Sequence, residues 1–161
     1  MANRILVDVE ESCPVPPWIE NVEPFLQKLF ALCAYDGEEC SVFFCSDAYI
    51  QNLNREYRNI DEATDVLSFE SGDSYKDEDG NTWLSIGDIA ISLDMLPKNA
   101  AYFEVPEDEE LKRLLVHGVL HLHGYDHGEE HVQKDVEPQC EMLKKQKLLL
   151  AALAGEEVKP K

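Results

Sequence analysis

Apolar residues recur along the chain with two periodicities, one typical of strands and one typical of helices. Residues 4–10 alternate apolar and polar side chains, and residues 40–45 and 83–93 form short β-prone runs, so strands are predicted there. Residues 61–69 are predicted to be extended after an initial turn. Residues 70–80 are acidic and contain glycine, which predicts a solvated loop between strands.

Apolar positions spaced three and four residues apart predict helices between and after these strands. Asp47 is predicted to be the N-cap of one of them. The predicted helices cover residues 18–34, 48–58, 96–104 and 138–153. The order of strands and helices predicts one α+β domain over residues 1–161, with a mixed sheet of about four strands packed against helices.

The clearest helical pattern begins after Pro106. Proline fits the first turn of a helix, and four acidic residues at 107–110 complement the positive end of the helix dipole. Leucine and valine at helical spacing supply a face that can be buried. Gly124 is predicted to end this helix, because glycine readily adopts the left-handed conformation that follows a helix.

Composition and charge narrow the classes of function. The chain has 161 residues, of which 44% are hydrophobic, so it can build a core. It carries 14 Lys and Arg against 33 Asp and Glu, a net charge of −19. A general nucleic-acid coating protein is therefore disfavoured, because such proteins present a basic face to phosphates. An enzyme that contacts RNA at one local site is still compatible with this charge.

The expected location is the cytoplasm. No apolar segment is long enough to predict a transmembrane helix, and the N-terminal residues lack the pattern of a signal peptide. The five cysteines are odd in number and contain no CxxC pair, which favours reduced thiols over disulfides or a zinc finger.

A histidine cluster carries the strongest chemical signal. All five histidines lie between His117 and His131. His117 and His121 are one helical turn apart, which places their Cβ atoms roughly 6 Å from each other on one face. A reversal at Gly124 would bring His127 back as a third ligand. Three neutral imidazoles leave one tetrahedral position of a Zn²⁺ ion open, as in catalytic sites, so one zinc ion per chain is predicted.

His123 points off the ligand face by helical phase and His131 lies in an acidic segment, so neither is predicted to be a ligand. The spacing HxxxHxxGxxH is shared with metzincin peptidases, in which a glutamate after the first histidine acts as the general base. Gly118 occupies that position here, which disfavours peptidase chemistry.

Residues 117–127, HGVLHLHGYDH, resemble the zinc signature of the YbeY family of bacterial endoribonucleases, which are rRNA maturation factors. Two further blocks agree with this resemblance. Residues 53–69 contain LN, YR and TDVLSF in the order seen in the family, and residues 87–89 read GDI. Together the blocks span about half of the chain.

The resemblance implies a single-strand-specific, metal-dependent endoribonuclease that acts in small-subunit rRNA 3′-end maturation and ribosome quality control. It implies RNA and the ribosome or ribosomal proteins as partners, and neither DNA nor a membrane. His117, His121 and His127 would hold the metal. With the resemblance, Arg58 is predicted to be catalytic, because its planar guanidinium can grip a phosphate and stabilise transition-state charge.

Asp65 and Asp126 are rival candidates for a supporting role. A carboxylate can accept the second N–H of a ligand histidine and so fix its tautomer. Either residue could instead cap a turn, which is the commoner role of aspartate in a loop.

Two alternative functions are left open by the sequence. One is a zinc peptidase, and the other is a non-catalytic, ribosome-associated binding protein with a structural metal. The net charge of −19 should weaken RNA binding by long-range repulsion. We therefore expect either a local basic groove or delivery to RNA by the ribosome. The groove would be formed by Arg4, Arg55, Arg58 and Arg113.

Overall fold

The computed structural model describes residues 3–127 and 137–160 and confirms the α+β class. The strands are β1 (Arg4–Val9), β2 (Glu38–Cys45), β3 (Val66–Glu70), β4 (Ser74–Lys76) and β5 (Thr82–Ser92). The helices are α1 (Val22–Leu32), α2 (Asp47–Arg58), α3 (Met95–Phe103), α4 (Glu107–Leu122) and α5 (Glu141–Ala152), and a short 3₁₀ helix, Ile19–Asn21, precedes α1.

The sheet is mixed, with its long strand β5 near the centre. Its main order is β1-β2-β5-β3, and β4 pairs with the first part of β5. β1, β2 and β5 run parallel, whereas β3 and β4 run antiparallel to β5. The antiparallel pairing places Val66 opposite Ile91, so the end of β3 nearest the TDV residues lies at the carboxyl end of β5.

Helices cover both faces of the sheet. Ile89 packs into the main core with residues of α1 and α4, whereas its neighbour Ala90 packs with Ile50 of α2 on the other face. This follows from the period of two along a strand. Helix α4 contacts β3 and β5 on one side and α3 and α5 on others, so it lies at the centre of the main core.

The acidic segment 70–80 departs from the prediction of a loop, because it contains strand β4. The Asp77 carboxylate accepts hydrogen bonds from the backbone N–H groups of Asp79 and Asn81, at 3.0 and 2.9 Å, and from the indole of Trp83 at 2.9 Å. These bonds close the turn between β4 and β5. An acidic side chain here therefore builds a hairpin, and the sheet has five strands within residues 3–127 and 137–160.

Several helix starts also differ from the predictions. Helix α1 begins at Val22, four residues after the predicted start at residue 18. Ser46, not Asp47, is the N-cap of α2, and its hydroxyl oxygen accepts the N–H of Tyr49 at 3.3 Å. The Asp47 carboxylate instead accepts a hydrogen bond from the hydroxyl of Ser92 at 2.6 Å. Helix α5 begins at Glu141, three residues after the predicted start at Pro138.

In the described part of the chain, we find no helix that combines the length and the apolar character needed to cross a membrane.

Candidate metal centre and its cleft

Helix α4 and the turn after it bring three histidine rings together. The ring centroids of His117 and His121 are 4.7 Å apart, and that of His127 is 5.3 Å from each of them. One nitrogen from each ring can be chosen so that all three lie within 4.8 Å of one another. The expected convergence of these side chains is therefore present.

Glycine at position 124 makes this convergence possible. Gly124 has a φ of +88°, in the left-handed region that glycine adopts without strain. The N–H of Gly124 donates to the carbonyl of His121 at 3.0 Å, and that of Tyr125 donates to the carbonyl of Leu120 at 3.1 Å. This pattern ends the helix and turns the chain back, which places His127 beside the two helical rings.

The electrostatic surroundings keep the two rings on α4, His117 and His121, neutral. Burial lowers the pKa of His117 from its ordinary value of 6.5 to about 4. Burial, followed by the nearby His127, also lowers the pKa of His121. Neutral imidazoles have a free nitrogen lone pair at pH 7, which a metal ligand requires. Three imidazole donors fit Zn²⁺, and they also suit other divalent transition metals.

Gln146 orients the first of these rings. Its side-chain oxygen lies 2.8 Å from Nδ1 of His117, and the side chain is only 3% exposed. Sequence analysis missed this residue. The sequence signal that could have revealed Gln146 is its position in α5, one turn after the apolar residues Met142 and Leu143. A glutamine at such a position is buried together with them.

Arg58 lies in the same cleft as the three histidines, at the C-terminal end of α2. The cleft has a volume of about 1160 Å³. The exposed guanidinium of Arg58 donates a hydrogen bond to the carbonyl oxygen of Ser68 and lies 5.4 Å from the centre of the Phe69 ring. The hydroxyl of Ser68 donates to the carbonyl of Gly118 at 3.4 Å. Strand β3 thus connects Arg58 to helix α4, which carries His117 and His121.

Asp65 belongs to a polar network beside the histidines. Its carboxylate accepts a hydrogen bond from Asn99 at 2.9 Å and one from Arg113 at 3.3 Å. Glu110, which is 1% exposed, also binds both of these partners. The network ties β3 to α3 and α4. The acceptor at Nδ1 of His117 is Gln146 and not Asp65. Asp65 lines the cleft through its network with Asn99 and Arg113.

Asp126 is exposed and also lines the cleft. Its negative charge raises the pKa of His121 and thereby opposes part of the effect of burial. It therefore lies close enough to the ring cluster to influence it electrostatically.

The expected basic groove does not form from the four arginines. Arg4 lies over the Trp83 ring at 4.2 Å and pairs with Asp77 at 3.4 Å, outside the cleft. Arg55 lies 3.8 Å from Asp61. Arg58 and Arg113 do line the cleft, but Arg113 is held by two carboxylates. Three of the four arginines that were predicted to bind RNA therefore form ion pairs with carboxylates of the protein itself.

The position of Gly118 bears on the peptidase alternative. A Cβ atom at residue 118 would lie 2.8 Å from Cγ2 of Ile89, inside the core between α4 and β5. The residue after the first histidine therefore faces the sheet and not the cleft. A glutamate there would have no room to serve as a general base.

His123 lies apart from the metal cluster, as helical phase predicts. Its ring stacks on Tyr35 with a centroid distance of 3.7 Å and an interplanar angle of 7°. Its two nitrogens contact the carbonyl of Val119 and the carboxylate of Glu38, each at 2.8 Å. It fastens the end of α4 to β2. His131 lies outside the described residues.

Known proteins resemble this chain over most of its length. The family model described as Endoribonuclease YbeY matches residues 11–154. The chain belongs to the YbeY family. A relative from Treponema denticola, named Endoribonuclease YbeY, is 46% identical over 158 residues, which cover 98% of each chain. Another YbeY of this name, from Aquifex aeolicus, is 34% identical over 131 residues, covering 80% of this chain and 82% of its own.

A solved structure also resembles this YbeY family member. The solution structure of TM1509 from Thermotoga maritima has a TM-score of 0.60 and 28% sequence identity, and the match covers 94% of this chain and 89% of that one. The α+β arrangement is therefore shared by a solved structure.

Proposed function

We propose that this chain is an endoribonuclease that cleaves single-stranded RNA at one zinc ion held by His117, His121 and His127. One observation carries the proposal: three imidazole nitrogens within 4.8 Å of one another share a cleft with an exposed arginine. Relatives named Endoribonuclease YbeY, similar over nearly the whole chain, support RNA as the substrate.

A zinc ion held by these three histidines would supply Lewis acidity. The protein's part is to keep the imidazoles of His117 and His121 neutral and to orient the ring of His117. Burial keeps His117 from taking up a second proton, and Gln146 accepts the N–H of Nδ1, so that Nε2 of this ring is available to a cation.

Arg58 is proposed to act on the scissile phosphate. A guanidinium has five N–H donors in a rigid fork, and only part of this capacity is used on the carbonyl of Ser68. The remaining donors can bind two phosphate oxygens and stabilise the charge that develops during cleavage. The contacts with Ser68 and Phe69 hold the guanidinium in place before substrate arrives.

The two aspartates are proposed to support the site in different ways. Asp65 positions α3 and α4 against β3 through Asn99 and Arg113. Asp126 places a negative charge near His121, which would favour a bound cation. Neither role requires the carboxylate to touch the reacting phosphate.

We further propose small-subunit rRNA as the substrate, with cleavage during 3′-end maturation and quality control in the cytoplasm. The chain carries a net charge of −19, and Arg4, Arg55 and Arg113 each form an ion pair with a carboxylate. This favours delivery to RNA by the ribosome or its proteins over long-range capture of free RNA.

Cleavage of a 5′-labelled unstructured RNA by the zinc-loaded protein tests the proposal. Arg58→Ala should lower the cleavage rate by about 10²–10³-fold, the usual cost of removing one transition-state donor. The matched control is Arg55→Ala, an exposed arginine on the same helix outside the cleft, which should cleave like the wild type. Casein degradation would indicate a peptidase. Inertness toward both, with retention of a ribosomal protein, would indicate a binding protein.

A further inference from the structure

An exposed aromatic side chain lies in the cleft of the metal centre. Tyr102, in the last turn of α3, is 61% exposed and lines the same cleft as the three histidines and Arg58. Ile60, which is 49% exposed, also lines this cleft. The cleft therefore offers apolar surface in addition to its charged and metal-binding groups.

A series of contacts connects the Tyr102 ring to helix α4. It meets the Phe103 ring edge-on, with centroids 4.9 Å apart. The guanidinium of Arg113 lies 5.0 Å from the centre of the Phe103 ring. Glu110 fixes Arg113 with two hydrogen bonds of 2.8 and 2.7 Å. Because Arg113 is one turn before His117 on α4, the ring pair has a defined position relative to the metal centre.

The charge distribution shows why such a ring would matter for RNA. Affinity for RNA commonly comes from lysines and arginines that displace counterions from phosphates. Here the net charge is −19, and the positive charge of Arg113 is offset by Glu110 and Asp65. A base stacked on an aromatic ring needs no positive charge, and such stacking contributes substantially to single-strand binding.

We infer that Tyr102 is a nucleobase-stacking subsite, on which one unpaired base of an RNA strand lies while a nearby phosphate reaches Arg58. The inference rests on the proposed function, because it takes RNA as the substrate of this cleft. Ile60 adds apolar surface elsewhere in the lining of the same cleft. The subsite accepts only unpaired bases, because in a duplex both faces of each base are covered by neighbouring base pairs.

Equilibrium binding of a fluorescein-labelled 2′-O-methyl RNA 12-mer to the zinc-loaded protein tests the subsite, since this RNA lacks a free 2′-hydroxyl. Tyr102→Ala should weaken binding by about tenfold, within the usual range for losing one stacked base. Tyr102→Phe should stay within twofold of the wild type, because the ring remains. The control Tyr49→Ala removes another exposed tyrosine that pairs with a ring, Phe43, outside the cleft, and should leave binding unchanged.

A matched strand with abasic residues at its central positions separates stacking from backbone contacts. The wild type should bind this strand more weakly, and Tyr102→Ala should bind it as the wild type does. Equal binding of the intact strand by wild type and Tyr102→Ala overturns the subsite, as does an equal loss on both strands.

The outcome also separates this inference from the proposed function. Dependence of binding on Tyr102 without RNA cleavage supports the subsite and rejects the nuclease. Cleavage without dependence on Tyr102 rejects the subsite alone. Absence of any RNA binding rejects both.

Discussion

The side-chain oxygen of Gln146 lies 2.8 Å from Nδ1 of His117, across the packed helices α4 and α5. An amide oxygen can only accept, so Nδ1 of His117 carries the proton and Nε2 carries the free lone pair. The helix after the histidine cluster thus selects the tautomer of its first ring.

Gln146→Leu should therefore weaken zinc binding by about 10–100-fold, the usual cost of removing the partner of a ligand histidine. The affinity can be measured by competition with a chromophoric chelator, with circular dichroism to verify folding. Gln146→Glu retains an acceptor and should restore affinity, and the exposed Gln139→Leu is the control. An unchanged zinc Kd in Gln146→Leu would show that this bond has no role in the site.

Gly118→Ala should destabilise the fold although alanine is the better helix former. The new Cβ would lie 2.8 and 2.9 Å from two carbons of Ile89, which is fully buried. Overpacking costs about 1–3 kcal/mol, which on balance exceeds the helix-propensity gain of about 1 kcal/mol. Urea denaturation gives the free energy of unfolding.

Gly155→Ala is the control, since a Cβ there meets no atom within 4 Å. The cost of Gly118→Ala should shrink in an Ile89→Ala background, where the clash is relieved. Additive effects of the two substitutions would contradict close packing as the cause.

Gly87→Ala should be more severe. Gly87 has a φ of +135°, and a Cβ there would lie 2.1 Å from the carbonyl oxygen of Phe69. A backbone clash combined with strain predicts a loss of about 3 kcal/mol or more. Because Phe69 also lies under Arg58, RNA cleavage should fall together with the melting temperature. Gly72→Ala, in open space, should match the wild type, and a Gly87→Ala variant with wild-type melting would refute the close approach.

Local sequence signals predicted α4 well, because Pro106 and Gly124 act through their own backbone conformations. The convergence of the histidines followed from helical periodicity and one glycine turn. Strand β4 was not predicted, since it depends on contacts such as the one between Arg4 and Tyr75, which are 71 residues apart. Gln146 was missed for the same reason, because only tertiary packing brings it to His117.

The N-cap of α2 shows how neighbouring candidates compete. Serine and aspartate both suit this position, and sequence analysis assigned it to Asp47. In the fold, Asp47 is engaged by Ser92 and Lys98, so the hydroxyl of Ser46 caps the helix.

The extent of one domain over residues 1–161 and the roles of Arg58, Asp65 and Asp126 stay predictions.

Glu10 should make stability depend on acidic pH. Hydrogen bonds from the Ser12 hydroxyl and from the backbone N–H of Ser46 hold the pKa of Glu10 below its ordinary value. A lowered pKa in the folded state means that the ionised form stabilises the fold above the unfolded-state pKa. This contribution is lost as pH falls through the folded-state pKa.

Glu10→Gln should therefore flatten the loss of stability between about pH 5 and the acid transition, as measured by urea denaturation across pH. The exposed neighbour Glu11→Gln is the control and should retain the wild-type slope. An acid limb that is unchanged in Glu10→Gln would exclude this carboxylate as a source of the pH dependence.

Zinc content and coordination of the purified protein test most directly whether three histidines share one cation. Elemental analysis with zinc X-ray absorption should give one zinc per chain, with three imidazole nitrogens and one oxygen as ligands. His121→Ala should lose most of this zinc, while the control His123→Gln, outside the cluster, should retain it. Undiminished zinc in His121→Ala, or sulfur ligation in the wild type, would contradict the proposed metal centre.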